Sequence, residues 1–162
     1  FDVLLLKGER SGIMHSKYCI LDNRSVITGS FNPTKAAADD YNNLLVLNSS
    51  LVAGFYSGNF ELIKSGERRQ SGKKIVMLNT TIVEVYFCPY DDCVAVVKGE
   101  IARAKGGIVF AAYSFTHPEI SNELTIKAAE GVQVSGIIEK STAGSEYSRH
   151  SVMAALAIRL GR

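Results

Sequence analysis

No apolar run in this 162-residue chain approaches the ~20 residues that a helix needs to cross a bilayer, so nothing in it reads as a membrane span. An excess of one charge is also lacking. Eighteen Lys and Arg stand against 16 Asp and Glu, a net +2, so there is no pervasive attraction for nucleic acid and any such binding must come from a local patch. Only three cysteines occur, Cys19, Cys88 and Cys93, an odd set without metal-type spacing. They read as buried free thiols rather than a disulfide or a zinc site, which favours a reducing compartment and the cytoplasm. Methionine is missing from the first position, where Phe1 stands, so a natural start upstream is expected and the absence of a leader says little about the parent protein.

What is present is ordinary for a globular protein: 46% hydrophobic and 21% charged residues, at a length that suits one well-buried domain. Asp2–Lys7 has strand character. Leu44–Leu47 reads as a central strand, and Leu51–Ile63 has apolar residues at helical spacing, weakened by Gly54 and Gly58. Residues 65–74 are polar, carry two glycines and read as a linker; a phosphate-contacting basic arm is the minor alternative. Beyond it, Val83–Phe87 is a strand, and Pro89–Asp92 caps a helix reaching about Lys105. Ile108–Tyr113 is a buried strand, Pro118–Glu130 a helix stopped at Gly131, Val132–Ile138 a strand, and about Tyr147 to Leu160 a final helix. Strands that alternate with helices predict an α/β fold, a mixed but largely parallel sheet flanked by helices on both faces.

Chemistry concentrates between Ile13 and Asn43. Two short strands meet at a turn over Asp22-Asn23-Arg24. Strand side chains alternate faces, so His15 and Lys17 are expected to point one way, and Thr28, Ser30 and Asn32 to share a face on the second strand. If the two strands pair as a hairpin, an imidazole, an ammonium, a hydroxyl and a carboxamide converge on one patch. Such a patch suits a phosphate: lysine supplies fixed charge, Ser and Asn neutral donors, and His a nucleophile or proton carrier.

The string His15-x-Lys17-x4-Asp22, followed by Gly29-Ser30-x-Asn32, resembles the HKD signature of the phospholipase D superfamily, and Ser-Phe-Asn-Pro-Thr resembles its nuclease-type members. Val83-Glu-Val-Tyr-Phe, Ala111-Ala-Tyr-Ser-Phe-Thr and Gly131-Val-Gln-Val resemble the strands that open such a domain, yet here they follow the HKD region. The halves stand in rotated order: residues 1–64 as the HKD-bearing C-terminal half, 65–80 as linker, 81–162 as the N-terminal half of a repeat. A window cut from a tandem two-repeat protein is favoured over circular permutation, and in either case the halves are expected to dock as one domain.

The resemblance implies a metal-independent, cofactor-free phosphodiesterase, with a nuclease as the favoured form, working through a phosphohistidine. His15 would be nucleophile or general acid, Lys17, Ser30 and Asn32 would hold the phosphate, and Asp22, the third motif residue, would fix the turn rather than donate a proton. Only one such motif is present. His117 and His150 read as ordinary histidines, so the second motif is expected from a homodimer partner or from a missing repeat. Nuclease-type relatives often carry Glu-Asn where this chain has Asn42-Asn43. A neutral amide cannot stabilise an imidazolium as a carboxylate does, and Glu139 is the weaker candidate for that orienting role. The competing readings are a lipid phosphodiesterase with the same chemistry and a non-catalytic module that holds phosphate backbones.

Overall fold

The computed structural model describes residues 2–8, 12–69 and 72–159, the last four of them by backbone alone. The chain divides into two compact units, Phe1–Asp91 and Asp92–Arg162.

In the first unit, β1 (Tyr18–Leu21) and β2 (Ser25–Gly29) form the expected antiparallel hairpin, and β3 (Leu44–Asn48) adds to β2. Asp22 and Asn23 both take positive φ, 51° and 52°, the twist that a tight hairpin turn demands of short polar residues. The Arg24 amide closes the turn on the Leu21 carbonyl at 2.9 Å. Helix α1 (Ser50–Ser65) starts at Ser49, whose hydroxyl accepts from the Val52 amide at 3.3 Å, and stops at left-handed Gly66. Its Val52 and Ala53 are fully buried against Val26 of β2.

The same core extends to a second hairpin, β4 (Lys74–Leu78) and β5 (Thr81–Val85), which contributes Val76, Leu78 and Val83. Strand β4 lies within the stretch read as linker. Its lysine- and glycine-rich approach hid an apolar alternation that ends in a turn at Asn79, φ 54°. Tyr18, Tyr56 and Phe87 stack edge to face in series, each pair of ring centroids 5.0 Å apart.

In the second unit, α2 (Cys93–Arg103) is capped by the Asp92 carboxylate, which accepts from the Ala95 amide at 3.0 Å. Strands β6 (Gly107–Ala112) and β7 (Gln133–Ile138) pair in parallel across α3 (Pro118–Ala129), with proline in its first turn and Gly131 beyond its end at φ 91°. A single turn, α4 (Lys140–Ala143), and α5 (His150–Arg159) follow. Arg149 ties the start of α5 to α3 through Ser121 Oγ at 2.9 Å and Asn122 Oδ1 at 3.2 Å.

The architecture is mixed α/β, but not the largely parallel sheet that alternation suggested. Among the described residues there are three small sheets, and only β6–β7 is parallel. Asp2–Lys7 forms no strand, and Val3 to Leu6 are exposed, because no neighbouring strand offers its amides and carbonyls a ladder. The cysteines also differ from expectation. Cys88 and Cys93 are disulfide-bonded, and Cys19 is free but exposed, since β1 turns Tyr18 and Ile20 toward the core and Cys19 away from it.

Candidate active site

The site begins where β1 begins. His15 and Lys17 lie just ahead of Tyr18, outside the ladder, with His15 exposed and Lys17 half-buried. Lys17 Nζ donates to the His15 main-chain carbonyl at 2.6 Å, which holds the ammonium beside the imidazole-bearing residue. Behind them the Thr28 hydroxyl donates to the Lys17 carbonyl at 3.0 Å, fixing the approach of the motif to β2.

The facing residues depart from simple alternation. Pairing sets Tyr18 opposite Thr28, so Thr28 shares Tyr18's core-directed face and not the face of Lys17. Beyond Thr28 the alternation ends at Gly29, whose φ of 143° belongs to glycine. A Cβ there would sit 2.3 Å from the Asn43 carbonyl oxygen. The backbones of β2 and the segment entering β3 therefore close against each other at this one residue.

That approach builds a clasp. The Ser30 amide donates to the Asn43 carbonyl at 3.1 Å, the Ser30 hydroxyl donates to Asn42 Oδ1 at 3.0 Å, and the Asn43 amide donates back to Ser30 Oγ at 2.9 Å. Asn42 also donates to the Ala37 carbonyl at 3.1 Å, pinning the single 3-10 turn Ala36–Ala38. Asn42 and Asn43, read in sequence as orienting groups for the histidine, hold Ser30. Asn32 is exposed, and its carbonyl accepts from the Thr34 amide at 2.8 Å in a tight turn.

The structure does not bring Asp22 to this place. It sits in the hairpin turn at the far end of β1, and at about 3.3 Å of rise per residue it stands roughly 15 Å along the strand from Lys17. Its part is the turn itself. Glu139 likewise acts locally. Its carboxylate accepts from the Ser141 amide at 3.0 Å as the cap of α4, and that hydrogen bond lowers its pKa. Of the other histidines, His117 precedes Pro118 with its Nδ1 buried and without a hydrogen-bond partner, and His150 opens α5.

The basic stretch after α1 is largely engaged. Arg69 pairs with Glu67 at 3.0 Å, Lys73 with Glu84 at 2.7 Å, and Lys74 lies 5.4 Å from the centre of the Phe87 ring. The hydrogen bond from Lys73 to Glu84 raises the lysine pKa. Among the described residues no cluster of His, Cys, Asp or Glu has the form of a metal site.

Tyr18 supports the motif from behind. Its hydroxyl donates to Asn59 Oδ1 at 3.2 Å, and burial, with a smaller contribution from Tyr56, pushes its pKa up to about 12. The segment from the strand approach through α1 is thus one packed piece with His15 and Lys17 at its open rim. Residues 2–63 match the model of a family described as cardiolipin synthase, PLD-like domain. This segment belongs to the phospholipase D superfamily. No curated protein matches the chain. The phospholipase D-like match ends within α1, so the likeness of the later strands rests on their short strings alone. Gly29 is the functional residue that reading by motif underrated; the signal was a glycine directly after a β-branched run and before Ser-x-Asn.

Proposed function

We propose that this chain supplies half of a phosphodiesterase site of the phospholipase D type, with His15 as its reacting group and a second motif from a second copy or a further repeat. Phospholipase D-like membership supports phosphodiester chemistry in general. The finer reading is carried by one observation: an exposed imidazole-bearing residue and the ammonium of Lys17 held together at a strand start. In this reading an imidazole nitrogen of His15 attacks phosphorus, and the P–O bond to the leaving alcohol breaks. A second histidine gives that oxygen a proton and then takes one from the water that cleaves the phosphohistidine. Lys17 and Asn32 stabilise charge on the phosphoryl oxygens, and Ser30 keeps the loop that carries Asn32 in place.

A nucleic-acid diester is the preferred substrate, on the strength of the Ser-Phe-Asn-Pro-Thr string. The cardiolipin synthase description favours a lipid diester as the second substrate class. The non-catalytic alternative draws support from the amides Asn42 and Asn43 and from the single motif. The test is cleavage of bis(4-nitrophenyl) phosphate and of a labelled oligonucleotide in the presence of EDTA. Activity is expected, and His15→Ala is expected to lower it by about 10²–10⁴-fold. Unchanged turnover in that variant removes His15 from the mechanism. Oligonucleotide binding without turnover in the wild type supports the binding module.

A further inference from the structure

The second unit contains a cavity of about 620 Å³ between β6–β7 and the helices α3, α4 and α5. Phe110, Leu124, Val134, Ile138 and Met153 supply apolar walls. The Phe110 ring is locked in place: it lies over Gly136 so closely that a Cβ there would meet it at 2.1 Å, and it packs on Phe115 with centroids 5.2 Å apart. Among the described residues, ionisable groups line the cavity at two points, Lys140 and His150, and no carboxylate does. Lys140 is exposed, and no carboxylate among the described residues pairs with it, in contrast to Lys98 and Lys127, each 2.6 Å from a glutamate. Glu139, beside Lys140 in sequence, turns its carboxylate to the Ser141 amide instead.

An apolar chamber with an unpaired cation at its edge has a defined complement. Its size lies within the ~300–1,000 Å³ range of small-molecule sites, and such sites orient their ligands with a few polar groups. An alkyl chain would replace water along the Phe110, Leu124 and Met153 walls, while an anionic head would meet Lys140. We propose that this cavity binds a free, single-chain amphiphile with an anionic head, carboxylate or phosphate. The site belongs to the second unit and needs neither His15 nor phosphodiester turnover.

Isothermal titration of the full chain with dodecanoate, dodecyl phosphate and dodecanol, each below its micellar concentration, tests this. One saturable site per chain is expected for the two anions. Lys140→Gln should weaken anion binding about tenfold and leave dodecanol unchanged, and Ala154→Phe, which fills the cavity, should abolish all three. Ala143→Leu fills it from α4 and replaces Ala154→Phe if circular dichroism shows that variant unfolded. Preference between the two anions identifies the head group. Binding only to vesicles of anionic phospholipid, equal affinity in Lys140→Gln, or undiminished binding in a folded cavity-filling variant overturns the proposal. So does loss of the saturable site as chain concentration is raised, the sign of a second copy covering the cavity.

Discussion

At the scale of single residues, two positions decide how the motif is presented. Gly29 combines a positive φ with an approach to the Asn43 carbonyl that leaves no room for a methyl group. Gly29→Ala is therefore expected to destabilise the first unit by at least about 1–3 kcal/mol, the usual cost of a strained backbone position, and to open the Ser30 clasp. Urea unfolding of that variant checks it, and an unchanged midpoint contradicts the role. Tyr18 makes a claim about pH. Its folded pKa of about 12 lies above the ordinary phenol value near 10, so folding favours the neutral form. This stability is fully present below pH 10 and is lost as pH rises toward 12, because the unfolded chain releases the proton first. Absorbance titration at 295 nm should show a late-ionising component that is absent in Tyr18→Phe, and that variant should lose less stability across this alkaline window. A spectrum in which every tyrosine ionises near 10 would remove the burial argument.

At the scale of elements, the turn that follows β5 depends on one buried carboxylate. Asp91 is 6% exposed and accepts from the Phe87 amide at 2.6 Å and the Gly72 amide at 3.0 Å, joining the entry of β4 to the exit of β5. Asp91→Ala strands two amides and is expected to cost about 3 kcal/mol, whereas Asp91→Asn keeps one acceptor oxygen and should lose less. Thermal melts of the pair test this; equal losses would point to charge rather than hydrogen bonding. The sequence announced the caps at Asp92, Pro118 and Gly131 because their effect is local, set by a side chain and its own next turn. It announced the β1–β2 hairpin and the neighbourhood of His15 and Lys17 for the same reason. It did not announce β4, whose basic approach looks solvated until Val76 is seen filling the core. Beyond the β1–β2 hairpin it could not tell which strands pair, because period-two alternation is the same in either direction. The face expected of Thr28 failed because pairing sets it opposite Tyr18, and beyond it Gly29 resets the alternation.

At the scale of the whole molecule, the apolar surface left open has a consequence. Part of it lies on sheet faces within each unit. Leu44 and Val46 of β3 are more than half exposed, and Val109 and Ile137 on one face of β6–β7 are 86% and 75% exposed. A parallel pair open on one face is unusual, since such sheets are ordinarily covered on both. Surfaces of this kind associate, and association of two copies is one of the two sources proposed above for the second motif histidine. Light scattering is expected to show a mass that rises with chain concentration. If two His15 residues then share one phosphorus, activity against bis(4-nitrophenyl) phosphate depends on pairs of chains, and rate per chain climbs with concentration toward a plateau. Mixing wild type with His15→Ala at constant total chain separates this from plain stabilisation. A composite site makes the rate follow the square of the wild-type fraction, whereas a self-sufficient chain makes it linear. A linear result places the whole of the chemistry within one copy and leaves the second copy a purely structural cover.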